Sequence, residues 1–246
     1  EKPCGGGLSP VALDLFPHLA DLTRTSRLVD RVCLTSAHGM QIRLSGERPY
    51  FVLSRQELAE GLLALALQSG ATHLAERVHR IERVAEGWRL EADRGPITAK
   101  FLVGADGVAS LVRRTVLAPF VARDLGVAIG YLLTGLPLDE IRVWFQKPEG
   151  FAYLFPRAGE ASLGIGWRAD EPGGRARSRV ALEAARRQWA PGAQTRSMYS
   201  FPFPSLVSKG AWEERRCGNG WALVGDAAGH VDPVRGEGIV LSLIHI

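Results

Sequence analysis

The sequence has few cysteines, no long apolar run and no block of charge of one sign. The three cysteines, Cys4, Cys33 and Cys217, are odd in number and far apart. They therefore form neither a disulfide framework nor a zinc site, and a reducing, cytosolic setting follows. The longest apolar stretch, 127–138, is interrupted by glycines and too short to span a bilayer. The six histidines have no ligand spacing, so no metal is expected.

The charge and composition indicate an ordinary globular protein. A net charge of +4 without a run of like charges does not indicate a nucleic-acid partner. With 246 residues, 46% hydrophobic and 23% charged, the chain can bury a sizeable core in one large or two small domains. Arginine far outnumbers lysine, and alanine, leucine and glycine are abundant, which is typical of a GC-rich bacterial genome.

Apolar periodicity, caps and turn residues divide the chain into elements. Helices are predicted from Pro10, from the Ser54–Glu57 capping box to Gly70, near 110–116 and near 176–189. Strands are predicted over 28–53 with turns at Gly39 and Gly46, and near 72–84, 87–92, 97–103, 125–134, 141–145, 151–155, 161–167 and 221–224. The pattern changes at about 120 to strands separated by turns, and changes back at about 205.

The strongest chemical signal is the string ALVGDAAGHVDPVRGEGI at 222–239. A short apolar strand ends in Asp226 among small residues. The carboxylate can accept a hydrogen bond from a ribitol or ribose hydroxyl while the backbone approaches a flat ligand closely. Pro233 fixes the loop, and Gly236 and Gly238 open a predicted helix whose N-terminal amides favour an electron-rich ligand edge. A glycine-rich turn without a ligand is the alternative, which the length of the string disfavours.

A second string, FLVGADGVASLVRR at 101–114, places Asp106 in a glycine-flanked turn after a buried strand. Arg113 and Arg114 follow on a helix, where they could neutralise a phosphate. A surface turn followed by a solvated basic helix is the alternative, and this motif alone does not decide between the two.

Together the two strings resemble the second and third FAD fingerprints of flavoproteins similar to p-hydroxybenzoate hydroxylase. The resemblance implies that the Asp106-Gly107 turn lies near the pyrophosphate and that Asp226 contacts the ribityl chain. It also places Arg55, in the string SRQEL at 54–58, against FAD. The backbone of Val78 matches a position at the adenosine portion.

Two further strings resemble signatures of the geranylgeranyl reductase family. The string KPCGGGLSP at 2–10 implies that the Cys4 loop lies against the flavin, although a small apolar filler in a glycine loop is the alternative for Cys4. The string at 150–167 resembles the aromatic strand GYxWxFP, with Phe151 at the tyrosine position and Tyr153 at the tryptophan position. Its rings alternate along the strand, so they share one face, and core packing is the alternative to a pocket.

The resemblance therefore implies two sets of site residues. The FAD contacts are Cys4, Gly5, Gly7, Arg55, Val78, Asp106, Gly107, Asp226, Pro233, Gly236, Gly238 and Ile239. The substrate-pocket residues are Phe151, Tyr153, Phe155 and Pro156.

The implied fold is α/β: a Rossmann-like FAD-binding domain at 1–119 and 206–246, with an inserted antiparallel β-sheet substrate domain at 120–205. No GxGxxG motif occurs, and the CGGG string is no substitute because no strand precedes it. We therefore expect that a first βαβ unit of about 40 residues is missing, against about 30 in a minimal unit. The hexapeptide at 241–246 is what a common sequencing adapter encodes, so we expect a truncated environmental sequence; a genuine apolar helix start is the alternative.

The family resemblance implies an FAD-dependent oxidoreductase that reduces carbon–carbon double bonds of an isoprenoid, geranylgeranyl, chain, with Cys4 as the candidate proton donor. The electron donor (NADPH, NADH or ferredoxin) is not specified. The expected partner is an apolar isoprenoid or another small molecule, and peripheral contact with a membrane stays open. One alternative is a flavin-dependent aromatic monooxygenase or halogenase, although the halogenase string WxWxIP is absent. The other is an inactive chain that lacks the GxGxxG unit.

Overall fold

The computed structural model describes residues 4–146, 150–205, 208–232 and 238–239. The chain forms two compact units, the first made of 1–69 and 126–202 and the second of 70–125 and 203–246. The predicted boundaries at 119/120 and 205/206 compare with divisions at 125/126 and 202/203, and a further division at 69/70 groups the first 69 residues with the large sheet. Each unit is described by itself below.

The first unit is built on an eight-stranded sheet with the strand order β1-β3-β2-β9-β10-β11-β8-β12. Its strands are β1 (Gly7–Leu8), β2 (Arg27–Thr35), β3 (Gln41–Val52), β8 (Leu125–Thr134), β9 (Glu140–Gln146), β10 (Gly150–Pro156), β11 (Ala161–Arg168) and β12 (Gln194–Pro204). Its helices are α1 (Pro10–Leu15), a 3-10 helix at Pro17–Thr23, α2 (Arg55–Gln68) and α4 (Gly174–Trp189). The strands numbered between β3 and β8 belong to the second unit.

The core of this unit lies between the sheet and α4. The buried residues of α4 form one stripe at helical spacing: Gly174, Ser178, Leu182, Ala185 and Trp189. Opposite them, β11 is buried on both faces over almost its whole length, which explains its nearly continuous run of apolar and small residues. The Trp144 and Trp189 rings meet edge to face with centroids 6.2 Å apart.

The second unit contains two three-stranded sheets. One is the antiparallel sheet of β4 (Val78–Val84), β5 (Gly87–Ala92) and β6 (Gly95–Ala99), and the other has the order β13-β14-β7. The latter consists of β7 (Leu102–Gly104), β13 (Cys217–Gly218) and β14 (Trp221–Leu223). The helices are α3 (Leu111–Val116), a 3-10 helix at Ala122–Asp124, α5 (Lys209–Glu213) and α6 (Gly225–Ala228). Ile81, Trp88, Leu102, Val112 and Leu223 are the large buried residues of its core.

The α/β fold class is confirmed, and the large sheet differs from the prediction in two respects. Three strands from residues 7–52 join it, and β2 runs parallel to β9, so the sheet is mixed and not purely antiparallel. The predicted turn at Gly39 is correct, with φ +85°, whereas Gly46 continues β3. Residues 72–77 are not a strand, and β12 was not predicted.

Candidate functional site

The Cys4 loop packs on the aromatic strand of the first unit. β1 pairs with the end of β3, Gly7 opposite Val52, and this pairing carries the loop over β10. A Cβ on Gly5 would lie 2.7 Å from the Phe155 ring, and one on Gly7 would lie equally close. Real Cβ atoms do not approach this closely, so these two glycines are required by the ring against them. The structure thus joins the predicted flavin loop to a predicted pocket residue.

The aromatic strand has the predicted alternation. Phe151, Tyr153 and Phe155 share one face, with ring centroids 6.0 Å apart for the first pair and 5.8 Å for the second. Between them, Ala152 and Leu154 are fully buried in the core that faces α4. Pro156 is also buried. One face of β10 therefore packs into the core while the other presents a row of rings beside the Cys4 loop, and a substrate pocket at this face remains a prediction.

A polar cluster that sequence reasoning missed surrounds the Cys4 carbonyl. Arg157 donates from Nη2 to this oxygen at 2.5 Å, and Ser162 Oγ donates to it at 3.1 Å. Both donors are buried, with 2% and 0% of their surface exposed. Tyr199 OH lies 3.1 Å from Ser162 Oγ and 2.9 Å from Tyr153 OH.

Burial controls the titration of the two tyrosines. It raises the pKa of the Tyr153 hydroxyl well above its ordinary value of 10.0, and the charge that Tyr199 would carry raises it further. Burial also raises the pKa of Tyr199, while hydrogen bonds to Ser162 and Tyr153 act in the opposite direction. Both hydroxyls are therefore protonated at neutral pH and able to donate hydrogen bonds.

In the second unit, the two aspartate motifs follow adjacent parallel strands. β7 and β14 pair in parallel, with Gly104 opposite Leu223, and Val224 N donates to Gly104 O at 2.9 Å. Asp106 and Asp226 therefore follow the carboxyl ends of neighbouring strands. This is the edge at which open α/β sheets bind ligands.

The Asp106 carboxylate is occupied by the start of α3. Its Oδ2 accepts from Leu111 N at 2.6 Å and from Val112 N at 3.2 Å, and Ser110 Oγ donates to Oδ1. Gly107 adopts φ +79°, and among the described residues, its own chain neighbours aside, no atom lies within 4 Å of where its Cβ would be. The backbone of the turn is thus what this motif offers to a ligand, and its carboxylate serves the helix.

The interpretation of Arg113 as a phosphate ligand is wrong. The side chain is 3% exposed and forms an ion pair with Glu214. It also donates to Ala227 O at 3.2 Å and stacks 3.7 Å from the centroid of the Phe120 ring. Its guanidinium therefore holds α3 to α6 and to Glu214, whereas Arg114 is exposed.

Asp226 and Gly238 lie close together. A Cβ on Gly238 would sit 4.0 Å from Asp226 Oδ1 and 3.3 Å from His230 O. Ile239 follows and is half-buried. Pro233 and Gly236 lie outside the described residues. Val78, at the start of β4, packs against the core of the second unit.

Arg55 is the first residue of α2 in the first unit and is half-buried. The helix begins with the predicted capping box, in which Ser54 Oγ accepts from Gln56 N at 3.1 Å and Glu57 accepts from Ser54 N at 3.3 Å. The convergence of Arg55 and the Cys4 loop with Asp226 and Gly238 stays a prediction, because the two pairs belong to different compact units.

The described part of the chain also contains a cavity that lies apart from the predicted pocket residues. A cavity of about 670 Å³ lies between α4 and the strands β8, β11 and β12, and its lining includes none of the predicted pocket residues. Within residues 4–146, 150–205, 208–232 and 238–239, no group of three or more acidic, histidine or cysteine side chains could hold a metal ion. No helix in this part of the chain is long and apolar enough to cross a membrane.

The fold is that of the FAD-dependent oxidoreductases. A geranylgeranyl bacteriochlorophyll reductase-like protein from Thermoplasma acidophilum superposes with a TM-score of 0.84 at 22% identity, over 98% of this chain and 65% of its own. Solved structures of flavin-dependent enzymes are also among the matches. At this identity the match establishes the fold alone.

Sequence comparison confirms the resemblance to the geranylgeranyl reductase family. Digeranylgeranylglycerophospholipid reductase 2 of Methanopyrus kandleri is 27% identical over 265 residues, 99% of this chain and 65% of the relative. Menaquinone reductase of Mycobacterium tuberculosis is 28% identical over 273 residues, 97% of this chain and 64% of the relative. The chain thus spans slightly less than two thirds of these curated relatives. No family model matches it.

Proposed function

We propose that the protein is an FAD-dependent oxidoreductase that reduces carbon–carbon double bonds in an isoprenoid chain. The observation that carries the proposal is the packing of the Cys4 loop, through Gly5 and Gly7, on the ring of Phe155. This contact places a thiol-bearing loop beside a row of aromatic side chains, which suits an apolar substrate. The name of the Methanopyrus relative contains the geranylgeranyl group, and this supports an isoprenoid chain as the substrate.

The residues at the carboxyl edge of β7 and β14 fit FAD. Gly238 leaves space beside the Asp226 carboxylate, and Gly107 leaves space beside the turn after β7. A carboxylate accepts hydrogen bonds from ribityl hydroxyls, and a backbone without side chains lets a large flat ligand approach. Asp226 and the Gly107 turn would therefore hold the cofactor, which in its reduced form supplies a hydride.

The chain's own task would be to bind the alkene, exclude water and provide a proton. An isolated alkene accepts a hydride poorly, so a proton must reach the second carbon in the same step or before it. Cys4 carries a thiol at the loop that the family resemblance places against the flavin. The thiol would donate that proton directly or hold a water that does so, while the rings of Phe151, Tyr153 and Phe155 would contact the apolar chain.

The test uses the protein expressed from its complete open reading frame, loaded with FAD and reduced chemically so that no particular electron donor is needed. Incubation with a geranylgeranyl lipid should add about two mass units per double bond, because one hydride and one proton are added. Cys4→Ala should slow this reduction about 100-fold or more, the effect typical of a lost general acid. Asp226→Ala should instead weaken FAD binding. Cys217→Ala, at an exposed cysteine of the second unit, is the matched control and should change neither quantity.

Two results would count against the proposal. Hydroxylation of an aromatic substrate with consumption of oxygen, while geranylgeranyl lipids stay unchanged, would replace the reductase with a monooxygenase. Full reductase activity in the Cys4→Ala protein would keep the reaction but remove the thiol from it.

A further inference from the structure

The carbonyl of Cys4 is held by two buried donors from the hairpin of β10 and β11. Arg157 Nη2 and Ser162 Oγ reach the same oxygen at 2.5 Å and 3.1 Å, and Arg157 Nε reaches Gly5 O at 3.4 Å. The residues after Cys4 are three glycines, which leave the backbone unusually free. These bonds therefore supply a restraint that the sequence of the loop does not.

The charge of Arg157 is itself held in place. Its Nη1 donates to Glu160 Oε1 at 3.1 Å, and the other oxygen of Glu160 accepts from Arg196 at 2.6 Å. A buried guanidinium is costly unless it is paired and hydrogen-bonded. Glu160, with an 11% exposed side chain, compensates the charge and fixes the direction of the guanidinium toward the loop.

The second donor is held by a chain of hydroxyl groups. Ser162 Oγ lies 3.1 Å from Tyr199 OH, which lies 2.9 Å from Tyr153 OH and 3.2 Å from Leu163 O. Each hydroxyl has one proton, so with the Ser162 proton on the Cys4 carbonyl, Tyr199 donates to Ser162 Oγ and Tyr153 donates to Tyr199. Gly164 makes room for this arrangement, since a Cβ there would lie 2.7 Å from the Tyr199 hydroxyl oxygen. Because burial raises the pKa of both tyrosines, the chain stays neutral and intact through the neutral pH range.

We propose that Arg157 and Ser162 are positioning residues for Cys4, with Tyr199 holding Ser162, so that the bonds to the Cys4 carbonyl fix the backbone from which the thiol projects. Gly6 N donates to Cys4 Sγ at 3.3 Å and sets the direction of the thiol on that backbone. Packing of Gly5 and Gly7 on the Phe155 ring fixes the distance between the loop and β10. The bond from Leu53 N to Gly6 O at 3.0 Å restrains the middle of the loop, and the two donors on the Cys4 carbonyl restrain its start. The proposal rests on the proposed function only for the role of the Cys4 thiol as a proton donor. The restraint on the Cys4 loop does not depend on that role.

The test is the alkylation rate of Cys4 by iodoacetamide, relative to that of the exposed Cys217 in the same molecule, read by peptide mass spectrometry. Ser162→Ala and Tyr199→Phe remove no charge and should raise the Cys4/Cys217 ratio about fivefold, the factor to which one neutral hydrogen bond of about 1 kcal/mol corresponds. Arg157→Lys keeps the charge but loses the fork that reaches two carbonyls, so it should raise the ratio about tenfold. The increase should be the same at neutral and at alkaline pH, since geometry and not charge has changed.

Tyr131→Phe is the matched control. This substitution also removes a side-chain hydrogen bond, which Tyr131 OH donates to Glu183 Oε1 at 2.6 Å, but this bond lies on the α4 side of the sheet. Its Cys4/Cys217 ratio should equal that of the unchanged protein. A ratio that stays the same or falls in Ser162→Ala, Tyr199→Phe and Arg157→Lys, all with native circular dichroism, would overturn the proposal.

The reductase assay separates this proposal from the proposed function. If the ratio rises in the variants while no form of the protein reduces an alkene, the positioning role stands and the proposed function fails. If alkenes are reduced and the ratio does not respond, the positioning role fails alone. With both correct, Tyr199→Phe should lower kcat with little effect on FAD affinity, because the thiol is misdirected and the cofactor contacts remain.

Discussion

Replacing Gly5 by alanine should destabilise the first unit, because the added Cβ would collide with the ring of Phe155. The added Cβ would lie 2.7 Å from Phe155 Cδ2 and 2.9 Å from the two neighbouring ring carbons. Gly5 does not have a positive φ, so alanine can adopt its backbone conformation. The Phe155 ring cannot turn away easily, because Tyr153 meets it edge to face at 5.8 Å and Gly7 closes its other edge.

The expected cost follows from these contacts. Overpacking of this kind costs about 1–3 kcal/mol. Alanine also reduces the entropy of the unfolded chain, which restores about 0.4–1 kcal/mol. The net destabilisation of Gly5→Ala should therefore be about 1–2 kcal/mol. Combined with Phe155→Leu, which removes the ring atoms in question, the same substitution should cost less than about 0.5 kcal/mol, so the two positions should be strongly coupled.

Gly6→Ala is the control, because its conflict is with backbone. Gly6 has φ +86°, and its Cβ would collide with the carbonyl oxygen of Leu53. A left-handed conformation costs a non-glycine residue about 1–2 kcal/mol before the collision is counted. Phe155→Leu should not relieve this cost. The assay is urea denaturation of the three single and two double variants, and equal costs of Gly5→Ala in the presence and absence of the Phe155 ring would refute the reasoning.

Two further predictions concern ion pairs and titration. Glu214→Ala should destabilise the second unit by about 3 kcal/mol in urea denaturation, because it removes the carboxylate that pairs with the buried guanidinium of Arg113. The control is Glu213→Ala, which removes an exposed ion pair with Lys209 and should change stability by less than about 0.5 kcal/mol. Equal effects of the two substitutions would contradict the argument. In the first unit, the hydrogen bond from Tyr131 lowers the pKa of Glu183, so its contribution is present above the ordinary value of 4.5 and is lost as the pH falls through the folded pKa. Tyr131→Phe should therefore flatten the loss of stability below about pH 4.5, measured as Tm against pH, and an unchanged acid slope would show that the bond is not the cause.

The sequence predicted correctly those elements that are determined by residues close together in the chain, such as helix caps and apolar stripes. The capping box at Ser54 fixes the start of α2, and the apolar stripe of α4 has helical spacing, so both helices lie where expected. The membership of the large sheet is not local. β3 is exposed over most of its length, so it has no apolar alternation to show which sheet it joins, and its partner β2 reaches β9 more than 100 residues further along the chain.

The site was predictable through its motifs but not through its supporting contacts. Cys4 and Phe155 were both recognised as family positions, yet nothing in either string says that the glycines of one pack on the ring of the other. Arg157 directly follows the aromatic strand and lies three residues before Glu160. An exposed ion pair on the surface has the same spacing in a sequence, so this spacing does not show that the pair is buried. The Arg157 guanidinium donates to a backbone carbonyl 153 residues away, and because every residue has a backbone carbonyl, this contact cannot be read from a sequence.

The aromatic strand differs from the GYxWxFP pattern that it resembles, and this difference is connected with the buried polar cluster. In this chain the first aromatic position, Phe151, has no hydroxyl, and the central one, Tyr153, has a hydroxyl where the family pattern has an indole. That hydroxyl lies in an environment where only 8% of the residue is exposed, so it requires a partner, and Tyr199 provides one at 2.9 Å. Tyr199 in turn approaches Ser162, and Ser162 holds the Cys4 carbonyl. A ring change in the middle of the strand is thereby connected to the position of the Cys4 loop by three successive hydrogen bonds, in which Tyr153 donates to Tyr199, Tyr199 to Ser162, and Ser162 to the Cys4 carbonyl.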